Sequence, residues 1–329
     1  MKLEELYNRV TKDLENLVGK KFFLTDQKDS SLTMGFCTEN HHVIQLGLYN
    51  CGLTELPESL SNLTHLVILD VSKNELTKLP NFLQKLKSLQ VIYLDDNNLS
   101  ELSPIIGTFP SLRKIWLSQN NLTYLPKCIG NLSTLEELIL TENCLSEIPE
   151  SIGNLSKLNY LGISYNFIEK LPESIGNLGL LEHLWLDYNK LRTLPDSIGN
   201  LIHLETLEIS MNAIKRLPQT FGNLKSLDYL DLSFNHLEAF PKSFFNLNSL
   251  TVLYIPYNKN LRVPREILEL ESLKHFTVDE GQKERSSSII SSLVENGVRI
   301  TGAIEKNILI QRLKKKEKRK RYFTHIEDW

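Results

Sequence analysis

The side chains of this 329-residue chain that could do covalent or metal chemistry are few: four cysteines (Cys37, Cys51, Cys128, Cys144) and a His41-His42 pair. Such chemistry needs these groups at fixed spacings, and the spacings are missing. There is no GxxxxGK[ST] loop to cradle a phosphate, no HExxH pair to hold zinc and no GxSxG elbow to present a nucleophile. His41 and His42 have no Cys or acidic ligand set beside them, and His183 and His275 stand apart. No catalytic residue, no metal and no cofactor is expected. What remains is recognition chemistry, carried by a repeated amide, a set of aromatic side chains and a basic run.

The amide recurs as Asn74, Asn97, Asn120, Asn143, Asn166, Asn189, Asn212, Asn235 and Asn258, 23 residues apart each time. Each sits in the frame LxxLxLxxNxLxxLP, and a fixed period of this length means a solenoid. With the first Leu as position 1, the units start at Val43, Leu66, Leu89, Leu112, Leu135, Leu158, Leu181, Leu204, Leu227, Leu250 and Leu273, which predicts eleven strands. Positions 1, 4 and 6 point inward, as Leu181, Leu184 and Leu186 do; the alternation through Trp185 marks a strand with one face buried and one wet. Where each strand bends away, the buried Asn is expected to satisfy backbone groups of neighbouring coils. Cys51 replaces it in the first unit. A second column, Pro57, Pro80, Pro126, Pro149, Pro172, Pro195, Pro218, Pro241 and Pro264, starts the outer arc and stops strand pairing. In the unit from Leu89 the column holds Ser103, with Pro104 one place later, so a local irregularity is expected there.

Positions 3, 5, 7 and 8 face the hollow of such a solenoid. Position 8 holds Tyr165, Tyr188, Met211, Phe234 and Tyr257; position 5 holds Tyr93, Trp116, Trp185 and Tyr254; position 3 adds Tyr160 and Tyr229. At about 4.8 Å between strands, the position-8 set makes a band on the order of 20 Å long. Two explanations compete. The rings stack on one another, at a few tenths to about 1 kcal/mol per pair, or they form a docking surface in which single truncations cost about 2 kcal/mol. Asp95, Asp96, Glu137, Glu142, Asp187, Glu208 and Asp231 share the face. They supply solubility alone, or together with the aromatics they select a partner with a basic, partly apolar surface.

The unit LEHLWLDYNKLRTLPDSIGNLIH, from Leu181 to His203, resembles the leucine-rich repeat, specifically the 23-residue kind of Ras-group and Scribble-type scaffold proteins. The resemblance covers roughly residues 43–280. It implies an α/β fold: a horseshoe solenoid with a parallel β-sheet on the concave side and short helical or 3-10 turns on the convex side. It also implies a non-enzymatic scaffold for protein binding in signal transduction, with a small GTPase or its regulator among the partners. One alternative resembles the leucine-rich Ran-activating proteins, whose units are longer than these. Another is an effector with ubiquitin-ligase activity, which would need a cysteine beyond the repeats; no Cys follows Glu280.

Composition is ordinary for a chain with a core, 41% hydrophobic and 23% charged. No apolar run approaches the ~20 residues of a membrane span, and the acidic start does not read as a secretory signal. Cysteines without end-clustering fit a reduced, cytoplasmic setting. Four segments are expected. Residues 1–42 form a helical N-terminal cap and lead-in, with Leu3, Leu6, Tyr7, Val10, Leu14, Leu17 and Val18 at helical spacing and Gly19 as a stop. Residues 43–280 form the repeats. In the C-terminal cap, 281–303, SSSIISSLVENGVRI reads as a Ser-capped helix, a turn at Asn296-Gly297 and an extended segment. The tail, 304–329, is basic and amphipathic through Ile304, Ile308, Leu309 and Leu313. Its run 312–321 carries +7 while the remainder of the chain sums to −10. That run is a solvated tail, a contact for anionic membrane, nucleic acid or an acidic protein surface such as the chain's own concave face, or a nuclear import signal. The oligomeric state is not fixed by the sequence.

Overall fold

The computed structural model describes residues 3–19, 21, 24–25 and 34–302; the basic tail expected at 304–329 lies outside them. Strand residues at positions 1, 4 and 6 are buried in every coil, as with Leu181, Leu184 and Leu186 at 0% exposure. A three-residue strand such as His183–Trp185 pairs in parallel with its copies one period either side, Leu184 lying between Leu161 and Leu207. The eleven repeat strands, from β3 (His42–Leu48) to β13 (His275–Val278), thereby form one sheet in chain order, and the sheet of the described residues has fourteen strands in all. Nine of the ten returns begin at a Pro in the extended region, Pro195 at φ −67° for example, and each runs through a 3-10 turn such as Asp196–Asn200. The irregularity expected near Ser103 is present. The turn Pro104–Thr108 closes on Phe109 at ψ 103°, where its neighbour closes on Leu132 at ψ 66°.

The asparagines form a directed ladder. The Asn189 amide donates to Ile163 O of the preceding coil and to Leu186 O of its own, both at 3.0 Å, and its Oδ1 accepts from Ile168 N at 3.0 Å. At the front, Asn74 Oδ1 accepts from both Cys51 N and Leu53 N, so the missing first amide leaves its coil satisfied from one side. The far end has no Asn. There Gln282, fully buried, donates to Ile255 O at 3.1 Å and to Asn258 O at 3.4 Å, and closes the ladder.

On the convex side the spacing of coils is set by Gly107, Gly130, Gly153, Gly176, Gly199 and Gly222 at position 19. A Cβ on Gly176 would lie 2.4 Å from Ser197 O in the next coil, so the arcs touch backbone to backbone. Phe245 takes that position near the far end, and a cleft of about 350 Å³ opens among Phe240, Phe245, Arg262 and Pro264.

Both ends differ in detail from the expectation. Helix α1 (Leu3–Val18) buries Val10 and Leu14, ends at Gly19 with φ +68°, and rests on the first 3-10 turn, Glu58–Asn62. The lead-in is not passive. Strand β2 (Met34–Glu39) pairs antiparallel with β3, and β1 (Leu24–Thr25) pairs with β2, so a hairpin extends the sheet. Asn40 and His41, at φ +47° and +64°, are its two-residue turn, while His42 opens β3 and lays its ring 3.8 Å from that of His65. At the other end the capping side chain is Asp279, not a serine: it accepts from Gln282 N in a capping box that opens α2 (Glu280–Arg285). Ser286 makes no side-chain cap for α3 (Ser287–Glu295). Gly297, at φ +84°, then turns the chain into β14 (Arg299–Gly302), parallel to β13.

Candidate functional site

The register places same-position residues of successive coils side by side on the concave face. Tyr93 pairs with Trp116, and their rings meet edge to face at 5.0 Å. Tyr160 meets Trp185 edge to face at 4.7 Å; Gly162, opposite Trp185 in the register, puts no side chain between them. Tyr229 and Tyr254 approach to 5.5 Å. These position-3 and position-5 rings are half-buried, except Trp116, which is 38% exposed.

Position 8 behaves differently. From Asn50 through Tyr257 every residue there has φ between +52° and +62°, because the strand leaves the sheet through a left-handed residue. That conformation costs an L-residue about 1–2 kcal/mol, which ring packing helps to offset. Tyr165 stacks on Tyr188 at 4.0 Å, and Phe234 on Tyr257 at 4.2 Å. Met211 and Phe234 are only 7% and 9% exposed. The water-facing band expected at position 8 is thus a stacked, partly enclosed ridge. Asn50 and Asp96 in the same column, residue types that tolerate the left-handed region, were the available signal.

The carboxylates are also committed to the chain. Asp187 is 8% exposed and accepts from Ser164 Oγ, Ser210 N and Ser210 Oγ, so it braces adjacent coils and is not open to a partner. Asp95 accepts from Ser118 N at 2.7 Å and Asp231 from Ser233 N at 2.8 Å. The sequence signal was an Asp with a Ser two residues or one period later. Glu137 takes Lys114 Nζ at 2.6 Å and Trp116 Nε1 at 3.3 Å, and Glu142 takes Gln119 Nε2. Burial raises the pKa of Asp95 and of Asp231 to about 6 each. It raises Glu208 to about 7, with its hydrogen-bonded neighbour Asp187 and then Asp231 adding to the effect. Burial, followed by Asp231 and Glu208, also raises Tyr229. Burial keeps the phenols of Tyr160, Tyr165, Tyr188 and Tyr229 protonated, while near neutrality Asp95 and Asp231 are mostly ionised and Glu208 about half so, which suits recognition of a cation bearing apolar groups. Beside them, a cleft of about 250 Å³ lies among Tyr188, Asp231, Phe234, Tyr254, Tyr257 and Gly302.

Among the described residues no group of three or more His, Cys, Asp or Glu gathers as a metal set, and no helix is long and apolar enough to cross a membrane. Fold and face define a solenoid of a binding kind. A family model described as leucine-rich repeat region matches residues 101–190, 150–210 and 194–295, more than half of the chain, and the chain belongs to the leucine-rich repeat family. Proteins of this family generally mediate protein–protein interaction, and their fold is typically a scaffold without catalysis. No curated protein matches the chain in sequence. Among solved structures, a leucine-rich repeat protein of Leptospira interrogans is 27% identical with a TM-score of 0.53, over 78% of this chain and 77% of that one. The plant peptide hormone receptor RGFR1, in complex with RGF2, is 29% identical with a TM-score of 0.60, over 68% of this chain and 38% of the receptor. The Arabidopsis receptor kinase HAESA, in complex with the peptide hormone IDA and the co-receptor SERK1, shares the fold at 24% identity and a TM-score of 0.61, over 77% of this chain and 50% of that one. The chain thus spans half or less of the two receptor chains.

Proposed function

We propose that the chain is a non-enzymatic binding scaffold that holds a basic, partly apolar segment of a partner protein on its concave face. The observation that carries this is the pair of edge-to-face clusters, Tyr93–Trp116 and Tyr160–Trp185, with Trp116 left open to water. Aromatic rings held in place by their neighbours lose little freedom on binding, and such rings dominate interfaces. In this reading Tyr93, Trp116, Tyr160, Trp185, Tyr229 and Tyr254 touch the partner. The ridge of Tyr165, Tyr188, Met211, Phe234 and Tyr257 fixes the rim, and Asp187 acts from behind as a brace. Residues 43–280 are the binding array, closed by caps at 1–42 and 281–303.

A small GTPase or its regulator as the partner, in cytoplasmic signal transduction, is the finer form of the reading. It is supported by the 23-residue unit and by the four cysteines, none of which is in a disulfide. The peptide hormones named for the two plant receptors support the coarser form. The test is affinity capture from native lysate with wild type beside a Trp116→Ala, Trp185→Ala double variant whose melting is checked separately. A ligand weakened about tenfold or more by the folded variant supports the seat; at about 2 kcal/mol per anchor that is a modest requirement. Capture of the same ligands by both proteins refutes it.

A further inference from the structure

We propose that the cleft at the far end of the concave face seats the trimethylated side chain of a lysine in the partner segment, with the Asp231 carboxylate facing the charge and aromatic rings facing the methyl groups; this rests on the reading of that face given above. The register builds the cleft from three columns. Asp231, Tyr254, Thr277 and Thr301 lie side by side on four successive strands and make one wall. The position-8 ridge, with Tyr188, Met211 and the stacked pair Phe234 and Tyr257, makes the other. Between them position 7 holds Ser210, Ser233 and Pro256, where the preceding coil carries Asp187. These small residues open a trough over two strand spacings, about 10 Å. At about 250 Å³ it is smaller than the ~300–1,000 Å³ of sites for drug-sized ligands, and has room for the head of one side chain.

The lining decides what kind of cation fits. Asp231 is half-buried and accepts from Ser233 N at Oδ1, at 2.8 Å, and a carboxylate has acceptor positions to spare beyond that bond. Its pKa of about 6 leaves it charged near neutrality. Other polar groups of the lining are engaged with the chain itself. Ser210 Oγ donates to Asp187 at 2.9 Å, the Thr277 and Thr301 hydroxyls bond to each other at 2.6 Å, and the Tyr188 hydroxyl bonds to Tyr165. A primary ammonium or a guanidinium brings several N–H donors, and donors stripped of water without a replacement are costly. A trimethylammonium brings none. Its charge is spread over methyl groups that pack on ring faces, and the attraction is strongest where water is excluded. One carboxylate among the described lining residues then matches one positive charge.

The test uses the full chain with its methionine methyl groups labelled with a carbon isotope, since Met211, one of three methionines in the sequence, lines the cleft. The probes are the N-acetyl methylamides of trimethyllysine, of lysine and of the neutral tert-butyl isostere of trimethyllysine, with phosphocholine beside them. Expected is a saturable shift of the Met211 signal by the trimethyllysine amide in the millimolar range, as suits a ligand this small. That amide should bind about fivefold or more tighter than the lysine amide and the isostere. It should weaken about fivefold or more in Asp231→Asn, which keeps an oxygen for Ser233 N, and in Tyr254→Leu. Equal binding of the lysine amide or of the isostere overturns the choice of cation, and phosphocholine binding more tightly than the amide overturns a protein source in favour of a lipid headgroup. No Met211 shift with any probe, or a shift that survives both substitutions, overturns the site. The reading of the face is scored separately by the Trp116 and Trp185 capture: ligands lost there without cleft binding overturn this proposal alone. Cleft binding with capture indifferent to the Trp116→Ala, Trp185→Ala variant overturns the partner reading and with it the source of the cation.

Discussion

Replacing Asn189 by Ala tests the ladder where it has a coil on each side. The amide donates to Ile163 O, Leu186 O and Asp187 O and accepts from Ile168 N, all in a residue only 4% exposed. The Ile168 N–H loses its acceptor inside the core, at about 1–3 kcal/mol. The carbonyls keep a second lone pair and suffer less, and the lost side-chain volume leaves a small void worth about 1 kcal/mol. The sum is about 2–4 kcal/mol from the main urea transition. Because each coil touches only its neighbours, the variant is also expected to unfold in two steps divided near this coil. Asn177→Ala, on the exposed convex side, serves as control and should stay within about 0.5 kcal/mol. Hydrogen exchange supplies a local readout, since the Ile168 amide should lose its protection. A loss below about 1 kcal/mol, with Ile168 still protected, would refute the bracing role.

The convex glycines and the buried acids give two further outcomes. Gly176→Ala puts a Cβ 2.4 Å from Ser197 O and should cost about 2–3 kcal/mol in thermal melts, while Gly179→Ala, with no atom within 4 Å of the added Cβ, should be neutral; equal melting of the two variants contradicts the backbone contact. Burial first, then Asp187 and Asp231, raise Glu208 from 4.5 to about 7, so the folded state binds this proton more tightly than the unfolded chain. Its contribution to stability is full below pH 4.5 and is lost as pH rises through about 7. Discounted for partial exposure, wild type should lose about 1–2 kcal/mol between pH 5 and 8 in urea titrations, and Glu208→Gln should lose measurably less; parallel curves would contradict the assignment.

Much of the fold was legible because a period is a global signal. Asn189 and Pro195 announce their roles by recurring, and the inward Leu184 and Leu186 follow from strand alternation. The site was legible only in part. The repeat register placed Tyr188 and Phe234 among outward positions, yet the backbone at position 8 turns left-handed and folds Tyr188 against Tyr165 and Phe234 against Tyr257. Likewise Asp187 looked like surface charge because its Ser164 and Ser210 partners lie a full period away on either side. The ends were least legible. The Asn40-His41 turn and the Asp279–Gln282 capping box are single local events with no copy elsewhere in the chain to average against.

The ladder also has a direction, and direction implies a rule for growth. Each amide reaches back to serve the coil before it, so any coil that is not last relies on its successor, and only the last needs a substitute. Gln282, through Ile255 O and Asn258 O, is that substitute. A whole 23-residue module can therefore be spliced in or deleted upstream without orphaning a backbone group, whereas cutting the array anywhere before Asp279 exposes an unserved row. The number of modules, and with it the span of the cradle, is thus free to vary between relatives, while the terminator is not.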